Sequence, residues 1–269
     1  MKKLKLLFLF SIFIFILTGC RKDTFKSNSQ AFDIILVMGQ SNTHYGTGFD
    51  FILDKPSDQI KQLGRYDTSA LKIIPAKEPL HHHTRKKNTV GFALTFAKLY
   101  ADKYLEEDRQ VLIIPCGRAG AAFFNNRLNK GDDLYNDAVT RVQFILTNYP
   151  NSELAAIVWH QGESDVGHLD YEENLDKFIK DLRKDLRAEK IPFILGGMVP
   201  GWVSESEERI QQQAIIKDTP NRIERTGYAD PTLPFVIEGD STLNQGIHYN
   251  SIGLRELGHR YFEVYEAMR

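Results

Sequence analysis

Cysteine is nearly absent from this chain, which has only Cys20 and Cys116 among its 269 residues. Two cysteines cannot supply the disulfide framework of a small secreted domain. Cys116 follows an apolar run, so we predict that it is a small buried hydrophobe rather than a nucleophile. At this length the chain can form one large domain or two small ones around its own core.

An excess of charge of either sign is also lacking. The formal net charge is -1, with 26% charged and 42% hydrophobic residues. The clearest basic cluster in the body of the chain, Arg85-Lys86-Lys87, is predicted to lie on a solvated loop. This composition is typical of an ordinary globular protein and carries no sign of nucleic-acid binding.

The beginning of the chain is the part that does not read as a folded domain. Three lysines precede an apolar stretch over residues 6–16, which is short for a membrane span. The next four residues, 17–20, resemble the cleavage box of bacterial lipoproteins. This resemblance implies a signal peptide over residues 1–20, lipidation of Cys20, and a bacterial cell-envelope protein anchored to a membrane through lipid. A plain secretory signal and an uncleaved anchor are the alternatives.

The remaining chain divides into a tether and one predicted domain. Residues 21–30 are polar without periodicity and are predicted to be a flexible tether, which assigns the fold to residues 31–269. The predicted strands are 34–38, 111–115, 155–159, 193–199 and 235–238. Apolar residues at helical spacing predict helices within 134–149, 175–186 and 254–268.

Alternating strands and amphipathic helices favour a particular α/β architecture. They predict a mainly parallel sheet with helices on both faces, which is a three-layer α/β/α sandwich. Residues 43–89 are the irregular part of the chain, with several glycines and prolines. We expect this segment to contribute a long loop beside a functional site.

A candidate nucleophile follows the first predicted strand. That strand ends at Gly39, which lets the backbone turn sharply and leaves Ser41 at the carboxyl end of a strand. Open α/β sheets bind their ligands at this end. Near the other end of the chain, His248 stands before a helical pattern. A serine on a tight turn and a histidine together favour a serine hydrolase, because imidazole can take the hydroxyl proton.

Four segments resemble the SGNH hydrolase superfamily, most closely its carbohydrate acetylesterases of the sialate O-acetylesterase type. In chain order they are 38–42, 115–120, 159–165 and 246–248. The resemblance implies the SGNH hydrolase fold, a three-layer α/β/α sandwich with a flavodoxin-like sheet, and a serine esterase that removes O-acetyl groups from carbohydrates. Acetylated glycans or sialic acids would be the substrates, an acyl-serine the intermediate, and no cofactor would be needed.

The same resemblance assigns roles to single residues. Ser41 would be the nucleophile and His248 the general base, whose ordinary pKa suits proton transfer near neutrality. The oxyanion hole would consist of the backbone N–H groups of Ser41 and Gly120 and the side-chain amide of Gln161. A plain turn glycine and a glutamine that only ties its loop together are the alternatives for the last two.

The acid of the expected triad departs from the family pattern. The family usually has aspartate three residues before the histidine, where this chain has Gln245. An amide cannot supply the charge that stabilises an imidazolium. Glu163 is predicted to take this role, with a structural carboxylate or an orienting backbone carbonyl as alternatives. The rival function is a non-catalytic glycan-binding lipoprotein that has lost the acid and kept the fold.

Three further features are candidates for ligand sites. Asn42 and Arg118 are candidate substrate-binding residues, the arginine because a guanidinium pairs well with a carboxylate. The run 81–83 consists of three histidines. Neighbouring histidines in a loop rarely form a closed tetrahedral site, and no cysteine or acidic cluster accompanies them, so no metal is predicted.

Overall fold

A seven-stranded sheet forms the centre of the computed structural model, which describes residues 29–241 and 246–269. Its strand order is β4-β3-β6-β1-β7-β8-β9, and all neighbours are parallel except the antiparallel pair β3–β4. Strands β2 and β5 pair separately as a short antiparallel ribbon. The strands are β1 (Ala31–Gly39), β2 (Gly46–Thr47), β3 (Ile60–Leu63), β4 (Ile73–Pro75), β5 (Thr89–Val90), β6 (Arg109–Gly117), β7 (Glu153–His160), β8 (Phe193–Gly196) and β9 (Thr226–Ala229).

Helices cover both faces of this sheet. They are α1 (Ala93–Tyr104), α2 (Asp133–Asn148), α3 (Tyr171–Leu186), α4 (Pro200–Val203), α5 (Glu207–Arg222) and α6 (Ser251–Met268). Helix α1 packs against α6 on one side, while α3 packs against α2 and α5 on the other. The predicted three-layer α/β/α sandwich with a mainly parallel sheet is therefore confirmed. Within the described ranges, no helix is both long enough and apolar enough to cross a membrane.

The middle strands of the sheet are buried in the core, which is why their apolar runs predicted strands. Every residue of β1 is buried, because β6 and β7 flank the strand and helices cover its two faces. Cys116, near the end of β6, is 1% exposed, and burial raises the pKa of its thiol to about 11. It is thus the small buried residue that the sequence predicted.

Two predictions about the sheet were wrong. Residues 235–238 do not form a strand of the sheet, and Phe235 and Val236 are 56% and 48% exposed after Pro234. The edge position belongs to β9, a short strand whose composition gave little signal. On the other side, β3 and β4 extend the sheet from within residues 43–89, which the sequence marked only as irregular.

Several sequence predictions concern residues outside the described ranges. The signal peptide over 1–20 with Cys20, most of the tether, and Gln245 belong to this group. Strand β1 begins at Ala31, at the amino-terminal end of the parallel strands, and Ser41 follows its carboxyl end.

Candidate active site

The turn after β1 presents Ser41 at the carboxyl edge of the sheet. Gly39 has a φ of 128°, and a Cβ at this position would lie 2.0 Å from the carbonyl oxygen of His160. Only glycine fits here, and the next amide, that of Gln40, donates to the same carbonyl at 2.8 Å. The turn is therefore fixed against the end of β7, and Ser41 begins a short 3₁₀ helix.

His248 meets this serine from the segment before α6. Its Nε2 lies 2.8 Å from Oγ of Ser41, the hydrogen-bond distance that a nucleophile and its base require. Burial lowers the pKa of His248 from its ordinary value, and the charge of Glu163 opposes this shift. The imidazole is consequently neutral at neutral pH and able to take the serine proton.

Asn42 holds the backbone on both sides of the histidine. Its Nδ2 donates to the carbonyl oxygen of Ile247 at 2.9 Å, and its Oδ1 accepts from the Tyr249 amide at 3.0 Å. The side chain is buried, with no exposed surface. The prediction that Asn42 binds substrate is therefore wrong, because both ends of its amide are used to position His248.

Glu163 holds the side chain of Asn42 in place. Its carboxylate is fully buried, and Oε1 accepts a 2.6 Å hydrogen bond from Nδ2 of Asn42 and lies 3.5 Å from Nε2 of His160. Burial opposes ionisation, yet His160 and Asn42 together lower the pKa of the carboxyl. Within the part of the chain that the structure describes, Glu163 makes no hydrogen bond to His248. Its predicted direct contact with the base is thus not formed.

The segment after β6 supplies a second backbone donor. Residues 118–121 form a turn closed by a 3.1 Å hydrogen bond from the Ala121 amide to the carbonyl oxygen of Arg118. Gly120 has a φ of 69°, and a Cβ there would meet nothing within 4 Å, so this position faces open space. Among the described residues, the N–H groups of Gly120 and Ser41 donate to no acceptor. Both lie in the same cleft, where an oxyanion could receive them.

Gln161 is not available as the third donor. Its Nε2 donates to Oδ2 of Asp165 at 2.6 Å and to the carbonyl oxygen of Ala121 at 3.3 Å, which uses both amide protons. The residue has no exposed surface and does not line the cleft. Its predicted oxyanion role is contradicted, and Gln161 instead ties β7 to the segment that follows Gly120.

The cleft around Ser41 has a volume of about 590 Å³. Its walls come from the nucleophile turn, the Gly120 turn, the start of α5 and the segment before α6. The lining residues are Gln40, Ser41, Tyr45, Ala119, Gly120, Ser164, Trp202, Arg209, Ile247 and His248. Arg118, which the sequence suggested for substrate binding, does not line this cleft, whereas Arg209 does.

Gln40 and Arg209 are among the polar residues of the cleft that the sequence did not indicate. The side-chain oxygen of Gln40 accepts from the Ser164 amide at 3.1 Å, so its remaining cleft-facing group is the NH₂ donor. Arg209 lies over the ring of Trp202, 4.1 Å from its centroid, and its Nη1 donates to the Trp202 carbonyl and to Glu205. Adjacency to Ser41 could have indicated Gln40, but no spacing in the sequence connects α5 to the nucleophile.

The serine–histidine pair and two N–H groups that are unpaired among the described residues lie at the carboxyl edge of a parallel sheet, an arrangement typical of serine hydrolases. A model of the family described as carbohydrate esterase, sialic acid-specific acetylesterase, matches residues 31–267, and the chain belongs to this family. The expected family is thereby confirmed.

Known relatives agree with this assignment. A probable carbohydrate esterase of Arabidopsis thaliana is 34% identical over 138 residues, which are 49% of this chain and 51% of that protein. The match thus spans about half the length of this curated relative. The crystal structure of NanS has a TM-score of 0.76 at 19% identity, over 89% of this chain and 98% of that one. A carbohydrate acetylesterase from Xanthomonas citri gives 0.59 at 15% identity, over 87% and 57%. These two structures show a shared fold.

Proposed function

We propose that this protein is a serine esterase that removes O-acetyl groups from carbohydrates through an acyl-serine intermediate. The 2.8 Å contact between Oγ of Ser41 and Nε2 of His248 carries this proposal. Membership of a carbohydrate esterase family supports the substrate class. An open cleft of about 590 Å³ has room for a sugar above the pair.

The geometry supports a two-step acyl transfer. Nε2 of His248 takes the proton of Ser41 as Oγ attacks the ester carbonyl, and the resulting oxyanion meets the N–H groups of Ser41 and Gly120. The protonated imidazole then gives its proton to the departing sugar hydroxyl. Water attacks the acetyl-serine with His248 again as base, and acetate leaves with Ser41 restored.

Arg209 favours acetylated sugars that carry a carboxylate. Its Nη1 is occupied by Trp202 and Glu205, but Nε and Nη2 donate to no residue in the described ranges. These two groups form a fork that matches a carboxylate in a bidentate pair. Sialic acids have such a group, whereas acetylated xylan backbones do not, so we place sialic acids ahead of neutral glycans as substrates.

Acetate release from a panel of substrates tests this proposal. We expect turnover of p-nitrophenyl acetate and faster release from O-acetyl sialic acids than from acetylated xylan. Arg209→Met should raise KM for the sialic acids by about 10- to 100-fold, as expected for a charge-assisted hydrogen bond worth roughly 1.5–3 kcal/mol. Its rate on p-nitrophenyl acetate should stay unchanged.

Arg187→Met serves as the matched control, because Arg187 is an exposed arginine at the end of α3. It should alter neither substrate's KM. An Arg209→Met enzyme with wild-type KM for sialic acids would remove the carboxylate subsite. A wild-type protein that releases no acetate from any substrate would support the rival glycan-binding function instead.

The location at the cell envelope is proposed from the sequence of the leader. Cys20→Ser should move the protein from the membrane fraction to the soluble fraction, because the thiol that would be acylated is gone. Cys116→Ala is the control, since it removes the other thiol and leaves the leader intact. Fractionation after a carbonate wash measures this, and a Cys20→Ser protein still held by membranes would contradict the lipoprotein assignment.

A further inference from the structure

The backbone that leads to Gly120 is held by three successive hydrogen bonds. The donors are the three amides before Gly120, and their acceptors lie in the loop 82–84 and at the end of β1. The bonds run from Gly117 to Nδ1 of His82 at 2.9 Å, from Arg118 to the carbonyl of Gly39 at 3.0 Å, and from Ala119 to Oγ1 of Thr84 at 3.0 Å. The next amide, that of Gly120, has no acceptor among the described residues and lies at the cleft.

His44 connects this segment to the nucleophile turn. Oγ1 of Thr43 donates its single proton to the carbonyl oxygen of Gln40 at 2.7 Å. Nδ1 of His44 lies 2.6 Å from the same Thr43 Oγ1, so in this second contact Nδ1 is the donor and Oγ1 the acceptor. Burial lowers the pKa of His44 to about 3, which keeps the ring neutral. Its Nε2 therefore accepts from Thr84 at 2.9 Å, and the Thr84 oxygen accepts the Ala119 amide.

A second histidine supports the first. The rings of His44 and His82 are stacked, with centroids 4.3 Å apart and an interplanar angle of 9°. Both residues are buried, at 1% and 0% exposure. The stacked pair therefore links the turn after β1, which carries His44, to the end of β6, where the Gly117 amide donates to His82.

The histidine run 81–83 is explained by separate contacts rather than by a shared ligand. The amide of His81 donates to Gln62, Nδ1 of His82 accepts from Gly117, and Nε2 of His83 lies 3.1 Å from Asp137. In residues 29–241 and 246–269, no group of three or more His, Cys, Asp or Glu side chains could hold a metal ion. His82 is thus the member of the run that binds the backbone leading to Gly120.

We propose that His44, acting through Thr84, is a positioning residue that fixes the Gly120 N–H relative to the Ser41 N–H. His44 lines no part of the cleft and touches no reacting atom. Oxyanion donors must lie about 2.7–3.1 Å from the developing charge. A misplacement of about 1 Å can cost on the order of 10²-fold in rate. The role rests on the esterase function proposed above.

Removal of the Thr84 hydroxyl tests the link with little change in shape. We expect Thr84→Val to lower kcat on p-nitrophenyl acetate by about 10-fold with KM within about twofold, because the displaced donor acts on the transition state. Thr84→Ser keeps the hydroxyl and should restore most of the rate. His44→Phe keeps the stacked ring without its nitrogens and should match Thr84→Val. The double variant should lose little more, since both changes break one chain of bonds.

The control is Thr219→Val, which removes the hydroxyl of a buried threonine within α5 that bonds to Ile215. Its kcat should equal that of the wild type. Hydrogen exchange of the peptide over residues 117–121 should accelerate in Thr84→Val and His44→Phe but not in Thr219→Val. This second measurement needs no turnover, so it separates failure of the link from failure of the esterase assignment. Unchanged exchange, or a Thr84→Val kcat equal to that of the control, would overturn the proposal.

Discussion

Ser41→Ala is expected to lower kcat for acetyl-ester hydrolysis by about 10⁴-fold or more. Loss of the nucleophile in a serine protease costs roughly 10⁶-fold, and what survives comes from binding and the oxyanion donors. Here Oγ of Ser41 is the atom that His248 contacts at 2.8 Å, and no covalent step can begin without it. Release of p-nitrophenol and of acetate, measured in parallel, gives the rate.

Ser152→Ala is a suitable control for that experiment. The Ser152 hydroxyl accepts from the Phe32 amide at 3.0 Å, at the edge of the sheet away from the cleft. The control should retain wild-type kcat, and both variants should keep the wild-type circular dichroism. A folded Ser41→Ala protein with more than about 1% of the wild-type rate would contradict the acyl-serine mechanism.

Glu163→Gln should lower kcat/KM on the order of 10²-fold. The change removes a buried negative charge that attracts the protonated His248 and replaces the oxygen to which Asn42 donates at 2.6 Å. The effect should fall below the roughly 10⁴-fold cost of changing a triad acid to its amide, because Glu163 does not itself hydrogen-bond the base. Steady-state kinetics on p-nitrophenyl acetate measures the loss.

The pH profile separates the charge of Glu163 from its anchoring role. His248 must be neutral to act, so kcat/KM should fall as pH drops through a pKa below its ordinary value of 6.5. The Glu163 charge raises that pKa, so Glu163→Gln should move the acidic limb to still lower pH. Glu172→Gln, at an exposed carboxylate on α3, should leave the profile in place. A Glu163→Gln enzyme with the kcat/KM of the wild type and an unshifted acidic limb of the pH profile would show that Glu163 has no part in catalysis.

The sequence predicted those parts of the fold that depend on local pattern. Strands such as β1 and β6 are continuous apolar runs because both faces are buried, and α3 shows its buried stripe at helical spacing. The sequence singled out Ser41 and His248, which the structure brings together, because each lies at an element boundary within a matching motif. Strand β9 was missed because four residues that include a glycine give no such pattern.

The functions of the polar side chains depended on contacts far apart in the chain. Gln161 and Asn42 carry the same amide group, and only their partners show that both are structural. Arg209 reaches the cleft because α5 packs beside β9, a relation that its own sequence does not encode. Motif position therefore predicted the proposed nucleophile and base, whereas tertiary contacts decided which neighbours support them.

The direction of β1 has a consequence for how the proposed lipoprotein would face its surroundings. Its nine residues separate the tether from Ser41 by about 30 Å, the full height of the sheet. An acylated Cys20 would attach the protein at the opposite end, so the predicted flexible tether would leave the cleft free to face away from the bilayer. Such an orientation suits acetylated sugars that arrive from the surrounding medium rather than headgroups of the supporting membrane.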